Sequence, residues 1–139
     1  MFAERRDATG RFESMGETEL LANRDYRRFS FMAGVRNEYF FNIVPISEPR
    51  GFPLDVSAFV REQAGESDAD TSDIHSRSWL TVDELLTFDY DAPLRFSQRG
   101  RPQRLEADTY RDFLDEGFHP ELELLQALGV ERLVFWFDN

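Results

Sequence analysis

The first apolar positions fall in two short β-prone stretches, Phe2-Ala3-Glu4-Arg5-Arg6 and Arg11-Phe12-Glu13-Ser14-Met15, around the polar tetrapeptide Asp7-Ala8-Thr9-Gly10. That pattern predicts a β-hairpin, with Gly10 supplying the left-handed turn residue. The period then changes. Asn23 or Asp25 can cap a helix running to about Arg36. Phe29, Ala33 and Arg36 fall at i, i+4 and i+7 and share one stripe of it, while Arg24, Arg27 and Phe31 share another side. Tyr39-Phe40-Phe41-Asn42-Ile43-Val44 is rich in β-formers and predicts a core strand. Three prolines and a glycine make residues 45–53 a stiff loop. Ser57 predicts a cap for a short helix with Phe59 and Val60 inward. Residues 65–73 are small, acidic and free of large apolar side chains, which predicts a mobile surface loop.

Farther along, Thr81-Val82-Asp83-Glu84 reads as a capping box opening a helix through Phe88, ended by Asp89-Tyr90-Asp91-Ala92-Pro93. Leu94-Arg95-Phe96 and the stretch to Pro102 predict a ragged strand and a turn. Residues 109–114 predict a helix. His119-Pro120 breaks it or begins a new helix at Pro120, with Leu122, Leu125 and Leu128 along residues 121–128 and Gly129 at its end. Leu133-Val134-Phe135-Trp136-Phe137 is apolar on both faces and predicts a central strand. The expected fold is α+β: one domain over residues 1–139, with a small mixed or antiparallel sheet, a central C-terminal strand, and about four or five short helices.

Composition narrows the setting. The chain has no cysteine, which excludes disulfides, thiolate zinc sites and cysteine nucleophiles. The longest apolar run is short and the start lacks the apolar stretch of a signal peptide, so a cytoplasmic protein without membrane contact is expected. Every one of the 16 basic residues is arginine, a planar fork suited to carboxylate or phosphate. Residues 1–50 balance 8 Arg against 8 acids, whereas residues 51–139 carry 8 Arg and 19 acids, so the net −11 lies in the later part. Such a surface disfavours double-stranded nucleic acid as a partner. A small anionic ligand held by a local Arg cluster remains compatible with it.

Four segments resemble a known family: Asn23-Arg24-Asp25-Tyr26 with Phe29 and Ala33-Gly34-Val35-Arg36-Asn37; Pro49-Arg50-Gly51-Phe52-Pro53-Leu54-Asp55-Val56-Ser57; His75-Ser76-Arg77-Ser78-Trp79-Leu80-Thr81; and Phe135-Trp136-Phe137-Asp138-Asn139. In order and spacing they are similar to a family of small uncharacterised proteins carried by tailed bacteriophages and by bacterial genomes with prophage-like regions. Asp25 and Phe52 depart from the Asn and Leu usual there, and the start is shorter. The resemblance implies a setting, the host bacterial cytoplasm, and no mechanism.

The candidate chemistry centres on His75-Ser76-Arg77-Ser78-Trp79. An imidazole, two hydroxyls and a guanidinium ahead of a helix start can hold a phosphate, with Trp79 stacking on a base. Equally, Ser78 or Thr81 can cap the helix with Trp79 in the core. Arg36, on the stripe of Phe29 and Ala33, is expected to be buried and to need an anionic partner, either Asp138 or a ligand. It can also satisfy carbonyls at its own helix end. Arg50, between Pro49 and Gly51, is either a positioned binding group or a solvent-facing turn residue. The expected ligand-binding set is therefore Arg36, Asn37, Arg50, His75, Ser76, Ser78, Trp79 and Asp138, converging on one recessed, positively charged spot. No catalytic set, metal site or cofactor is expected. No Gly-rich phosphate loop is present, and neither His75 nor His119 has zinc spacing. A paired His-x-Ser/Thr phosphodiesterase motif is missing, and a relay of Ser76 or Ser78, His75 and Asp73 is awkward between neighbours. Three functions stay open: a non-enzymatic protein binding a small anion such as a signal nucleotide, an acidic inhibitor of a host enzyme, and a small hydrolase or transferase using His75. Oligomeric state is not legible.

Overall fold

The computed structural model describes residues 1–65 and 74–138. Strand β1 (Phe2–Arg6) turns into β2 (Phe12–Glu17), followed by α1 (Tyr26–Ala33), α2 (Ala58–Ala64), β3 (Ile74–Thr81), α3 (Val82–Thr87), α4 (Tyr110–Phe113), α5 (Phe118–Ala127) and β4 (Arg132–Asp138). The four strands form one antiparallel sheet in the order β2-β1-β4-β3. The α+β architecture and the central C-terminal strand are as the pattern predicts. The expectation of a mobile loop over 65–73 falls, beyond Gly65, outside the described residues. No helix among the described residues is long and apolar enough to cross a membrane.

Alternation along the strands assigns the two faces. Ala3, Leu80, Leu133, Phe135 and Phe137 belong to the larger core, shared with Phe31 and Met32 of α1, Leu85 of α3, Phe113 of α4, and Phe118, Leu122 and Leu125 of α5. Phe2 and Val134 face the other way and pack with Val60 of α2, flanked by Phe52, Val56, Trp79 and Trp136. The sheet is thus covered on both sides, which is why β4 is apolar along nearly its whole length.

Local signals place most helix ends. Asp25 caps α1 by accepting from the Arg27 backbone N–H, and Gly34 ends it in the left-handed region at φ 67°. Ser57 caps α2, and capping boxes start α3 (Thr81 with Glu84) and α4 (Thr109 with Asp112). α5 starts earlier than expected, at Phe118, so Pro120 sits in the first turn, where its missing N–H costs no helix bond.

The structure overturns several local readings. Residues 39–44 are not a strand: Tyr39 is 85% and Phe40 53% exposed, and only Ile43 is buried, in an isolated bridge to Phe96. The Asn37 side chain closes this turn, donating to the Ile43 carbonyl and accepting from the Ile43 N–H. Residues 74–81, which the sequence places only ahead of a helix start, form an edge strand with a bulge between His75 and Ser78 and Ser76 at φ 55°. Val60 is buried as expected, but Phe59 is 46% exposed and Leu128 55%.

Two ion networks lie inside the fold. Glu4 and Arg132 are cross-strand partners on β1 and β4, almost fully buried. Arg132 also binds Asp55, and Glu4 accepts from the Ser57 N–H, so the pair ties the start of α2 to the sheet. The second joins α1 to α5. Arg28 is 1% exposed and binds Asp115 through two nitrogens, Nε at 2.7 Å and Nη2 at 2.6 Å, and Glu121 through Nη1. Glu121 also accepts from the N–H of buried Leu21. Gly117 fits here because it lacks a side chain: a Cβ would stand 3.0 Å from Asp115 Oδ2 and 3.2 Å from Arg28 Nη2. Gly117→Ala is accordingly expected to destabilise by about 1–2 kcal/mol through overpacking. Urea unfolding would measure this, and an unchanged midpoint would show that the network relaxes freely.

Candidate functional site

Where β4 finishes and β3 begins, the sheet end, the start of α1 and the α1–loop corner enclose an open cavity of about 510 Å³, within the range typical of small-molecule sites. Its apolar wall follows from strand alternation and helix phase. Phe137 of β4 meets Phe29 of α1 edge-on at 4.8 Å between centroids, and the His75 ring stacks on Phe137 at 6.1 Å. Trp136, on the opposite face of β4, stacks on Phe2 at 5.2 Å and completes the lining there.

The charged lining comes from chain ends of elements. Arg24 precedes the α1 cap, and Arg36 lies just beyond the Gly34 stop, itself at φ 57°. The Arg36 guanidinium lies 5.7 Å from the centre of the Tyr26 ring, a cation–π contact that holds it against the cavity wall. Neither Arg24 nor Arg36 forms an ion pair among the described residues. Glu17 and Asp138 contribute carboxylates to the same lining, and Gln63 an amide. The site therefore presents two guanidinium forks, an imidazole, carboxylate acceptors and aromatic faces around one hollow. That combination matches a ligand having an anionic group, donor hydroxyl or amino groups, and a flat ring.

Of the residues expected to converge, Arg36, His75 and Asp138 do line this cavity. Arg36 is nevertheless exposed, beyond the helix, and makes no ion pair with Asp138. The buried arginine of α1 is Arg28, whose position about two turns earlier brings it under α5. Ser76 lies beside the cavity, and its Oγ stands 3.0 Å from His75 Nδ1. In a serine hydrolase relay the hydroxyl meets Nε2 and a carboxylate orients Nδ1. Here the hydroxyl occupies the orienting position, so the contact steadies the ring.

The remaining residues are placed elsewhere. Asn37 is consumed by the turn to Ile43. Arg50 does not reach the cavity: it binds Glu84 through two nitrogens, donates to the Trp79 carbonyl and covers the Trp79 ring at 4.8 Å. Burial pushes the Glu84 carboxyl up, but Arg50 and the Thr81 bonds outweigh it and hold it below the usual range. Ser78 is fully buried and accepts from the Arg50 N–H. Trp79 packs in the smaller core beside Val60 and Phe2. Arg50, Ser78 and Trp79 thus form a clasp between the proline-rich loop, β3 and α3. The expected single Arg50–Arg36–His75 spot is not formed.

The reading of the residues missed Arg24, Tyr26 and Phe29. All three precede or open α1, and their helical spacing put them on different stripes. A cavity at a helix start draws on more than one stripe, so phase alone could not collect them.

A second histidine occupies a different hollow. His119 packs edge-on against Tyr90 at 4.4 Å, beside Asp91, Arg111 and Glu123. Burial, and then the Arg111 charge, pull its pKa below the ordinary histidine value. Among the described residues no group of three or more His, Cys, Asp or Glu side chains is arranged to hold a metal ion. No protein-family model, curated protein or solved structure matches the chain.

Proposed function

We propose that this chain is a non-enzymatic binding protein for a small anionic ligand carrying an aromatic ring, with a nucleotide as the best chemical match. The observation that carries the reading is the pair Arg24 and Arg36, two cations on one cavity wall that form no ion pair among the described residues. Arg5, Arg28, Arg50, Arg99, Arg101, Arg111 and Arg132 are all ion-paired. Free guanidinium forks bind phosphate through paired hydrogen bonds, and Phe29, Phe137 and His75 offer ring faces for stacking. Glu17 and Asp138 suit ligand hydroxyl or amino groups and disfavour bare polyphosphate. In the phage setting that the sequence resemblance implies, such binding would serve to sequester a host signal nucleotide, a counter-defence function.

The test has two arms. Protein purified from cells is denatured and the released small molecules are identified by mass spectrometry, and melting is followed with a nucleotide panel. A cognate nucleotide at a hundred times its Kd is expected to stabilise the fold by about 2.7 kcal/mol, roughly 5–10 °C in Tm for a chain of this size. Arg24→Ala/Arg36→Ala is expected to abolish the shift while leaving the unliganded Tm nearly unchanged, because both side chains are exposed. Absence of both a released nucleotide and any shift sinks the reading. The acid excess of residues 51–139 favours a second reading, an inhibitor occupying a basic surface on a host enzyme. Salt-sensitive capture of one host protein, with no nucleotide bound, would support that in its place.

A further inference from the structure

Six rings run in series across the surface around the start of α1. His75 lies on Phe137 at 6.1 Å, Phe137 meets Phe29 at 4.8 Å, and Phe29 meets Tyr26 at 6.3 Å. Tyr26 meets Phe40 at 5.9 Å, and Phe40 meets Phe41 at 6.0 Å. The first four rings line the 510 Å³ cavity; Tyr26 and Phe41 line a second hollow of about 440 Å³. Arg24 and Tyr26 belong to both walls. A guanidinium therefore stands at the join of two ring-lined hollows. Phe40, between Tyr26 and Phe41 in the ring series, stays 53% exposed although the core lies close by.

We infer that the ligand is a dinucleotide, two bases joined through phosphate. One base lies against Phe29 and Phe137, the other over Tyr26 and Phe40, and the connecting phosphate sits on Arg24 and Arg36. This rests on the binding reading above and deepens it. Aromatic faces in series, interleaved with arginine, are the chemistry that takes successive bases. In the second hollow Asp25 is engaged in capping α1, and Arg27 donates to the Phe113 carbonyl at 3.2 Å, so the shared Arg24 is the available cation. The net charge of −11 limits the length of the ligand. Phosphates beyond the two arginines meet an acidic body, which opposes a long single strand.

Isothermal titration calorimetry of the full chain at fixed ionic strength decides the matter, with AMP and GMP, the linear dinucleotides pApA and pGpG, and the octamer oligo(dA). At least one dinucleotide is expected to bind ten-fold or more tightly than its mononucleotide. Phe40→Ala, at an exposed position, is expected to remove that advantage and leave mononucleotide affinity unchanged. Equal mononucleotide and dinucleotide affinities, or a Phe40→Ala loss shared by both, overturn the dinucleotide assignment while the single-nucleotide site stands. Tighter binding of the octamer than of either dinucleotide overturns it in favour of a single-strand surface. No binding by any mononucleotide or dinucleotide overturns the underlying reading as well.

Discussion

Replacing Arg132 by leucine is expected to destabilise the fold by about 3–5 kcal/mol, the range for removing one partner of a buried ion pair. Glu4 has no exposure to water, and Arg132 supplies it with two hydrogen bonds. Without the guanidinium the carboxylate keeps only the Ser57 N–H. It must then be desolvated without compensation, and this dominates the cost. Loss of Asp55 adds little, since that side chain is 65% exposed and rehydrates. Loss of the Phe12 contact, 3.5 Å from the guanidinium to the ring centre, adds a smaller share. The companion Glu4→Leu/Arg132→Leu is expected to recover most of the stability, because a well-packed apolar pair avoids desolvating either charge. Urea unfolding of the wild type, both singles and the double gives the coupling energy. A single-variant cost below about 1 kcal/mol would show that the pair behaves as a surface bridge.

Arg28→Met is expected to cost somewhat less, about 2–3 kcal/mol at neutral pH. The stem and its packing survive, and the orphaned carboxylates of Asp115 and Glu121 are 34% and 30% exposed, so water solvates them in part. A pH signature separates the charge effect from packing. The Arg28 hydrogen bonds hold the Asp115 carboxyl below its ordinary value, against the opposing effect of burial. A carboxyl depressed in the folded state stabilises above its unfolded pKa, about 3.9 for aspartate, and that contribution fades as pH falls through the folded value. The wild-type advantage over Arg28→Met is therefore expected to be full at neutral pH and to shrink below about pH 4. An advantage constant from pH 7 to the acid limb would assign it to packing alone.

Much of the framework was legible because it is enforced within a few residues. Gly10 at φ 84° turns the hairpin, Ser57 and Thr81 each receive the helix N–H three positions on, and Gly34 stops α1. The failures have one cause. Helical phase was carried past Gly34 to Arg36, so the buried arginine was assigned about two turns too late. β-propensity was read in residues 39–44, but Asn37 closes a turn there and Phe40 and Phe41 find Tyr26 and Phe113 on helices. The polar run His75-Ser76-Arg77-Ser78 carried no strand signal of its own, yet pairing with β4 makes it a strand whatever its local preference. Arg50 looked available for a ligand until Glu84, distant in sequence, engaged it.

The chain alone determined the hairpin and three helix caps through contacts spanning a handful of residues. It determined the α+β class and the central place of β4 through its element pattern and the apolar run on both faces of that strand. Tertiary structure decided which arginines are paired and which face a cavity. An arginine's partner is set by the register of β1 on β4 and the docking of α5 on α1, and those bring together residues such as Glu4 and Arg132 that no local pattern links. The same long-range packing set Arg24 and Arg36, which form no ion pair among the described residues, beside Tyr26, Phe29 and Phe137 on one cavity wall.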